Sequence, residues 1–332
     1  MKNTYCNISN IKNCKELLDE YKAKSDGSKT KGQFLSFDLK DLEKTDKKLT
    51  VYNPTKPIIK NGKKHLVARV EPKDSEQSKA IFFIKENKKW HKLNHPSFNL
   101  QDPFYIENIQ GWQILGGVEI ETQGSEIINF CTVFYRYKNC ATELINPDGD
   151  LKKPFAIGPK GMKDTRLIEL KNGNIGVFTR PQGGKAGLGK IAYIEIENLD
   201  RLEKSITKAR IIPNQFSNEE WGGVNELHLL ENGKVGVLGH IAHFEGDIRH
   251  YYAMSFVFDT ENKTATPIEI LTTADEFPSV KSKKPDLGKI IFSGGLDRKK
   301  DGLAHLYVGV GDTKAGQIQV VDPFLKFERK IS

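Results

Sequence analysis

Three Asn-Gly pairs constrain the fold of this chain more than any other feature of its sequence. Asn61-Gly62, Asn172-Gly173 and Asn232-Gly233 each join two apolar runs that are rich in branched and aromatic residues. Runs of that composition favour β-strands. A two-residue type I′ turn needs a positive φ at both central residues, and Asn-Gly meets that need best. Each pair therefore predicts a tight β-hairpin.

The hairpins belong to a pattern that recurs five times along the chain. Each copy has an apolar run, a tight polar turn, a second apolar run that ends in a polar cluster, and a third run after a loop. The copies begin at Asn53, Asp102, Asp164, Val224 and Gly288. Repeats of this kind are typical of propellers, so we predict an all-β fold, a five-bladed β-propeller. A six-stranded sandwich is the alternative, but it would not explain why the units are equivalent.

The N-terminal part of the chain has helical spacing. Residues 10–24 carry apolar side chains at Ile11, Leu17, Leu18 and Tyr21, which predicts a short helix. We expect residues 1–30 to form a helical extension of a single propeller domain that spans residues 1–332. Residues 34–39 (FLSFDL) predict a strand that closes the ring by pairing with the last unit, which would remove a sheet edge.

The charge of the chain bears on its partners. It has 51 basic and 43 acidic residues, which gives a net charge of +8. The lysines are scattered over turns and loops, with no basic helix and no basic run interleaved with aromatic residues, so nucleic-acid binding is not predicted. The positive charge would still help to attract an anionic substrate such as phosphate.

Cysteine usage and hydropathy bear on the compartment. The sequence has four cysteines, Cys6, Cys14, Cys131 and Cys140. They are too few for a disulfide scaffold and lack the CxxC spacing of a zinc site. The N-terminus is too polar for a signal peptide, and no apolar stretch approaches a membrane span. We predict a reduced, cytoplasmic protein with no membrane partner. His240 and His243 lack an HExxH pattern and a helical context, so no metal site is predicted.

Polar residues recur at equivalent places in the units. A hairpin reverses the chain, so the start of the first strand and the end of the second strand lie on one face. The first strands of a propeller line its channel, and these residues should therefore meet in one funnel. They include Asn53, Arg69, Glu71, Asp74, Glu76, Asp102, Glu119, Glu121, Asp164, Arg166, Arg180, Gln182, Asn225, Glu226, His228, His240, His243, Gly294, Gly295 and Asp312. Carboxylates beside arginines suit sugar transfer with an anion present. The pattern does not choose between hydrolysis and phosphorolysis.

Several motifs in this set occur together in one known family. They are VYNPTKPI, ARVEPKDSE, LQDPF with GGVEI after it, TRPQGG, and GVNELHLL followed by GVLGHIA. Together they resemble the mannosyltransferase–phosphorylase family, glycosyltransferase family 108, which was long catalogued as a domain of unknown function. The resemblance covers nearly the whole chain. That family is similar in fold to the β-mannoside phosphorylases of glycoside hydrolase family 130.

The resemblance implies a five-bladed propeller that transfers mannose with inversion. Family members make or break β-1,2-mannosidic links, with mannose 1-phosphate or GDP-mannose as donor. The family's acid corresponds to Asp102 in QDPF, where the related phosphorylases have EDPR and this chain has Gln101 and Phe104. Asp102 would protonate the leaving oxygen, directly or through a sugar hydroxyl, while phosphate attacks the anomeric carbon from the opposite face. Inorganic phosphate is then a co-substrate, and no cofactor is expected.

Several of the other funnel residues, together with Lys185, receive binding roles under this reading. The candidates for binding phosphate are Arg69, Arg180, His240 and Lys185. The candidates for binding sugar hydroxyls are Asn53, Glu71, Asp74, Asp164, Asn225, Glu226 and His228. Trp221 is a candidate stacking platform, whereas Trp112 is better read as a turn residue that packs on a neighbour.

Two other functions remain open at the level of sequence. An inverting β-mannoside hydrolase would need a second carboxylate to activate water, about 6.5–9.5 Å from the acid. Glu226 or Asp164 could be that base. A carbohydrate-binding propeller without catalysis would tolerate the substitution Asp102→Asn, whereas the enzyme should lose at least about a hundredfold in rate.

Overall fold

The computed structural model of this chain describes residues 11–24, 30–40, 42, 48–124, 126–138 and 153–328. Within these ranges the chain is mostly β-strand with three short α-helices, so the predicted all-β class is confirmed. Residues 1–10 and 25–29 of the predicted extension lie outside the described residues, as do Cys6 and Cys140. None of the helices in the described part has the length and apolar character that crossing a bilayer requires.

The first helix, α1, spans Cys14–Ala23. The side chain of Asn13 accepts a hydrogen bond from the amide of Glu16 at 3.0 Å, and the Glu16 carboxylate accepts one from the amide of Asn13 at 2.8 Å. This reciprocal capping box satisfies two amides that the helix leaves unpaired, and it explains why the predicted helix begins at Cys14. Cys14 and Leu17 are buried in an apolar cluster with Ile241.

Two short strands follow, β1 (Gln33–Phe34) and β2 (Phe37–Asp38). β1 pairs antiparallel with the last strand of the chain, Lys314–Val321, whereas β2 pairs in parallel with Lys89–Lys92 in the first unit. The expectation of one strand over residues 34–39 on the last unit is therefore correct only at its start. The segment divides because it bridges the edges of two units and cannot pair with both in one run.

The first three units of the sequence pattern form antiparallel meanders, and the second and third of them are separate four-stranded sheets. The first contains β3 (Leu49–Tyr52), β4 (Ile58–Lys60), β5 (Lys63–Pro72), β6 (Lys79–Glu86) and β7 (Lys89–Lys92). The second contains β8 (Gln101–Ile109), β9 (Trp112–Gln123), β10 (Glu126–Lys138) and β11 (Ala156–Ile157). The third contains β12 (Arg166–Glu169), β13 (Ile175–Thr179), β14 (Ala192–Ile196), the helix α2 (Leu202–Ser205) and β15 (Arg210–Ile211).

The last two units follow the same plan. The fourth contains β16 (Glu220–Leu229), β17 (Val235–Glu245), β18 (Ile248–Asp259), β19 (Thr264–Ala265) and β20 (Glu269–Thr272). The fifth contains β21 (Lys289–Arg298), β22 (Leu303–Val310) and β23 (Lys314–Val321), and the helix α3 (Leu325–Glu328) follows it. Short parallel pairings join β18 to β21 and β23 to β3, so the last unit contacts both the fourth and the first.

The core lies between consecutive units. Phe134 of the second unit packs in one cluster with Val177 of the third, and Leu238 of the fourth packs in another with Leu306 of the fifth. The rings of Phe178 and Phe258, from the third and fourth units, meet edge to face with centroids 5.5 Å apart. Each meander therefore buries apolar side chains against its neighbours, which leaves the innermost strands free to carry polar groups.

The hairpin turns differ in part from the type I′ prediction. Asn61 and Gly62 have φ values of 50° and 73°, as a type I′ turn requires. In the hairpins at Asn172-Gly173 and Asn232-Gly233 only the glycines take a positive φ, 82° at Gly173 and 86° at Gly233. Each of these glycine amides bonds the carbonyl three residues earlier, so the loop has one more residue and ends in a glycine bulge.

Candidate active site

The innermost strand of each unit is interrupted near one level of the structure. Asn53 separates β3 from β4, and Asp164 precedes β12. β-Bulges occur at Asp102 in β8, at Asn225 in β16 and at Gly294 in β21. Asn53, Asp102 and Asp164 have positive φ values of 46°, 45° and 60°, a conformation that Asn and Asp tolerate better than most residues. These interruptions turn polar side chains toward the middle of the molecule.

Asp102 is buried and accepts two hydrogen bonds through one carboxylate oxygen. The amide nitrogen of Asn53 donates to Oδ1 at 2.6 Å, and Nη1 of Arg69 donates to the same oxygen at 3.1 Å. Burial alone would raise the pKa of Asp102, but the positive charges of Arg69 and Lys163 outweigh it and hold the pKa below its usual value. The free protein therefore holds Asp102 as a carboxylate.

Arg69 is fixed from behind by Glu71. Nη2 and Nε of Arg69 donate to Oε2 of Glu71 at 2.8 and 3.1 Å. Tyr52 and Lys283 each donate to Oε1 at 2.5 Å, and the hydroxyl of Ser78 donates to Oε2. Glu71 is almost wholly buried. It therefore orients Arg69 and does not face the cleft, where we expected it to bind sugar.

A second carboxylate, Asp164, is held in the same way. Nη1 of Arg180 donates to Oδ2 of Asp164 at 2.9 Å, and Nε2 of His240 lies 3.9 Å from that oxygen. Burial alone would raise the pKa of Asp164, but Arg180 more than offsets it and keeps the pKa well below its usual value. Arg180 thus lies behind Asp164, as Glu71 lies behind Arg69.

His240 is a neutral imidazole in this environment. Its Nδ1 donates to Oδ1 of Asn225 at 2.9 Å, and that oxygen also accepts from the hydroxyl of Ser293 at 3.1 Å. Burial lowers the pKa of His240 to about 3, against the opposing effect of Asp164. Because Nδ1 carries the proton, Nε2 can accept one from a hydroxyl group. In the free protein His240 therefore carries no positive charge.

These residues surround one cleft, which has a volume of about 240 Å³. Five of the predicted site residues line it: Asn53, Arg69, Asp102, Asp164 and His240. The rings of Tyr251 and Phe292 flank His240, each with a centroid 5.4 Å away. Lys163 lies beside Asp102 and Asp164, and it has no salt bridge within the part of the chain that the structure describes.

Asp312 also lines the cleft, and it differs from the other carboxylates. It lies in the turn between β22 and β23 with a φ of 52°. Burial is the main cause that raises its pKa to about 6, and the negative charge of Asp102 adds to the effect against the attraction of Arg69. The cleft thus holds three carboxylates with lowered pKa, Glu76, Asp102 and Asp164, which are ionised at neutral pH, and one, Asp312, that titrates closer to neutrality.

Two predicted site residues lie at the opposite end of the channel. Glu226 lines a separate cavity of about 270 Å³, where it contacts Lys56 at 2.8 Å and His228 at 2.9 Å. The prediction that Glu226 and His228 share the funnel with Asp102 is wrong, because β16 begins at Glu220 and not near Val224. The two residues therefore lie toward the hairpin end of the strand.

Two other predicted residues also lie away from Asp102. Asp74 is exposed on the turn after β5 and lines an outer cavity with Glu126. Lys185 is exposed in a short helical turn, Gly184–Ala186, outside the residues that line the cleft. The place of Asp74 after the second strand of its unit predicts that it lies in the funnel, but the chain leaves the channel there.

Several cleft residues were missed as site candidates from the sequence. They are Lys163, Arg249, Tyr251, Lys283, Lys284 and Phe292. Lys283 and Lys284 belong to a lysine-rich loop that reads as a solvated surface, yet both contact Glu76, at 3.0 and 3.1 Å. Lys163 directly precedes Asp164, and that adjacency was the available signal. The described residues include no cluster of His, Cys, Asp and Glu that could hold a metal ion.

Comparison with known proteins decides the family. The family described as "Protein of unknown function (DUF1861)" matches residues 29–326. A mannose phosphorylase from Leishmania mexicana, solved in complex with a phosphate ion, is 30% identical, with 96% of each chain covered and a TM-score of 0.82. The chain belongs to the mannosyltransferase–phosphorylase family. It is therefore an enzyme of the glycosyltransferase and glycoside phosphorylase class, as the sequence predicts.

Other comparisons agree with this family. A GDP-Man-dependent mannosyltransferase from Leishmania mexicana is 29% identical to this chain. The match covers 96% of this chain and 97% of the transferase, with a TM-score of 0.81. A β-1,2-mannobiose phosphorylase from Listeria innocua is 12% identical, and the match covers 85% of this chain and 92% of the phosphorylase with a TM-score of 0.56. This likeness shows a shared fold alone. No curated protein sequence matches the chain.

Proposed function

We propose that this enzyme is an inverting β-1,2-mannoside phosphorylase or mannosyltransferase. It would transfer mannose between mannose 1-phosphate, or GDP-mannose, and β-1,2-linked manno-oligosaccharides, with Asp102 as the acid. The observation that carries the proposal is the contact of Arg69 with Asp102 at 3.1 Å. A cation that touches the acid lies where the charge of an attacking phosphate would be balanced. The Leishmania mannose phosphorylase, which holds a phosphate ion, supports this direction.

Phosphate binding and the protonation of Asp102 are coupled in this mechanism. In the free enzyme Arg69 and Lys163 favour the carboxylate form of Asp102. A phosphate dianion bound to the same cations would offset their charge, so the pKa of Asp102 would rise and the carboxyl group could carry a proton. Asp102 would then protonate the leaving oxygen, while phosphate attacks the anomeric carbon from the opposite face.

In the synthetic direction the same groups act in reverse. The ionised Asp102 of the free enzyme is ready to take the proton of an acceptor hydroxyl, directly or through a sugar hydroxyl. Lys163 and Arg69 would stabilise the departing phosphate, and Nε2 of His240 would accept a hydrogen bond from a sugar hydroxyl. Asn53 and Asp164 would bind further sugar hydroxyls. With mannose 1-phosphate as donor, inorganic phosphate is the product in this direction and the co-substrate in the reverse direction, and no cofactor takes part.

Hydrolysis is less well supported. Glu226 lies in a separate cavity, and Asp164 is tied to Arg180 with a lowered pKa, which makes it a weak base. Neither of the two carboxylates that the sequence offered as a base for water is therefore free in the cleft. A binding protein without catalysis remains the third candidate, and it would not need an acid held between Asn53 and Arg69.

The experiment follows phosphate release from mannose 1-phosphate, with mannose or β-1,2-mannobiose as acceptor. We expect release that depends on the acceptor and falls at least about a hundredfold in the variant Asp102→Asn. Free mannose from β-1,2-mannobiose without phosphate would instead identify a hydrolase. If neither assay shows turnover, and GDP-mannose as donor gives none either, retained saccharide binding would leave the binding protein.

The architecture and location belong to the same proposal. We infer that the five meanders are the blades of a five-bladed β-propeller in one domain over residues 1–332. The pairings of β1 and β2 with the last and first units support a closed ring. The two described cysteines, Cys14 and Cys131, are free thiols, which fits a reduced, cytoplasmic enzyme whose partners are small carbohydrates.

A further inference from the structure

The hairpin formed by β17 and β18 supplies one wall of the cleft. Arg249 and Tyr251, two residues apart on β18, both line the cleft. The strand register pairs Phe244 with Arg249 and Ala242 with Tyr251. Side chains of paired residues lie on the same face of a sheet. Phe244 therefore lies on the face that the cleft uses, at the outer end of the hairpin.

Aromatic rings continue from the cleft out to Phe244. Tyr251 stacks on His240 inside the cleft, with centroids 5.4 Å apart and planes inclined by 24°. The indole nitrogen of Trp221 donates to the hydroxyl of Tyr251 at 3.1 Å. The ring of Phe244 packs on Trp221 with centroids 5.0 Å apart. The series runs from a buried histidine to a phenylalanine that is 53% exposed.

Phe244 covers the residue that the sequence predicts as a stacking platform. Trp221 is only 5% exposed, so a ligand would meet Phe244 in its place. A second apolar side chain, Leu188, is 47% exposed on the loop whose Gly189 carbonyl accepts a hydrogen bond from Gly222, the neighbour of Trp221. An exposed apolar surface beside a polar cleft is typical of a binding surface.

The size of the cleft requires such a surface for a long acceptor. Its volume of about 240 Å³ is below the range of about 300–1,000 Å³ that is usual for drug-sized ligands. The sugar and phosphate at the reacting centre would fill it. The far rings of an oligosaccharide acceptor must therefore lie outside, and the hairpin face with Phe244 continues the wall that Arg249 and Tyr251 form.

We propose that Phe244 is the stacking platform for an outer sugar ring of an oligosaccharide acceptor, and that it sets a preference for acceptors longer than one sugar. The inference rests on the proposed function for the identity of the saccharide. One face of a pyranose ring presents C–H groups, which pack on an aromatic ring as an apolar surface does. Phe244 touches no reacting atom in this arrangement, so it acts on acceptor binding and not on the chemical step.

The test uses three variants of the full chain. Phe244→Ala removes the platform, and Phe244→Tyr keeps an aromatic ring. Ile248→Ala is the matched control, because Ile248 is 45% exposed at the same end of the hairpin but pairs with Glu245, on the opposite face. The readouts are kcat/KM for mannose and for β-1,2-mannotriose as acceptors, and the calorimetric Kd of mannotriose with no donor present.

We expect Phe244→Ala to lower kcat/KM for mannotriose by about tenfold and to raise the Kd of mannotriose by about tenfold, which is the scale of one aromatic contact. Its kcat/KM for mannose should stay within twofold of the parent enzyme, and Phe244→Tyr and Ile248→Ala should keep the parent values for both acceptors. An equal loss for mannose and mannotriose, or no loss for either, would overturn the proposal.

Two further outcomes separate the proposal from its alternatives. If the parent enzyme turns over neither acceptor but Phe244→Ala still weakens mannotriose binding, the platform stands and the proposed reaction fails. If the parent protein elutes as a dimer that Phe244→Ala dissociates, with saccharide binding unchanged, the surface belongs to a second copy of the chain and the platform is rejected.

Discussion

At the scale of single residues, Glu71 connects the cleft to the fold. Its carboxylate accepts hydrogen bonds from Tyr52, Arg69, Ser78 and Lys283. We expect Glu71→Ala to lower the free energy of unfolding by about 3–5 kcal/mol, because two buried cations lose their partner. Tyr52→Phe removes one hydrogen bond and should cost about 1–2 kcal/mol. Urea unfolding measures both, and equal losses would contradict this account of Glu71.

Asp312 makes stability depend on pH near neutrality. Its pKa is raised from 3.8 to about 6, so the folded protein binds this proton more tightly than the unfolded chain does. The resulting stabilisation is complete below about pH 4 and is lost as the pH rises through about 6. The substitution Asp312→Asn removes this pH-dependent loss of stability. The variant should gain about 1–2 kcal/mol relative to the parent between pH 5 and pH 8, after allowance for partial exposure.

Urea unfolding of both proteins at pH 5 and pH 8 measures this difference. Asp102→Asn should reduce the difference between the two pH values, because the negative charge of Asp102 helps to raise the pKa of Asp312. A difference between the parent and Asp312→Asn that does not change with pH would show that Asp312 is not the titrating group.

The residues that line the cleft were more predictable from the sequence than the residues that hold them in place. Asp102, Arg69 and Asp164 follow from residue type and from their place at a strand end, and they meet in one cleft. The position of Glu71 behind Arg69 could not be predicted, because alternation along β5 does not reveal which carboxylate is covered by residues from distant loops. Lys283 reaches Glu71 from a different unit, and no local sequence pattern indicates such a contact.

At the scale of elements, bulges in the innermost strands decide which side chains reach the cleft. Asn225 lies in the bulge of β16 and its side chain contacts His240, whereas Glu226, the next residue, contacts Lys56 and His228; both residues line the opposite cavity. A bulge adds one residue to one strand and reverses the alternation after it. The hairpins were predictable from Asn-Gly pairs, but the bulges have no such signature. The functional strand ends were therefore misplaced for the fourth unit.

A glycine in β22 makes room for one of these interruptions. A Cβ added to Gly309 would lie 1.6 Å from Oδ1 of Asn53, which donates through its amide to Asp102. We expect Gly309→Ala to displace Asn53 and to lower kcat/KM by about tenfold or more, since a cleft group would be misplaced. Gly288→Ala is the control, because its nearest neighbour is Ser282 Oγ at 4.0 Å.

Phosphate release from mannose 1-phosphate measures the two glycine variants, and circular dichroism checks that each is folded. Full activity in Gly309→Ala would mean that Asn53 is not needed to hold Asp102. A loss in Gly288→Ala of the same size would show that these glycine substitutions reduce activity for a reason other than the contact with Asn53.

At the scale of the whole molecule, a segment of few residues pairs with the edges of the first and last units. β1 and β2 cover the edge strands β23 and β7, and Phe37 packs on Phe83 with ring centroids 4.9 Å apart. Exposed strand edges invite pairing with other chains. The closing role of this segment was predictable from its apolar pattern. Its division between two units was not, because the pattern gives no information on which edges lie nearby.

A truncation pair tests the closure. Removing residues 1–30 deletes α1 but keeps β1 and β2, whereas removing residues 1–42 also uncovers the edges of β23 and β7. Both variants should lose thermal stability, since α1 buries Cys14 and Leu17. Only the longer truncation should self-associate, because it alone presents two unpaired strand edges. Light scattering across a concentration series measures association, and equal behaviour of the two variants would show that β1 and β2 do not protect the ring.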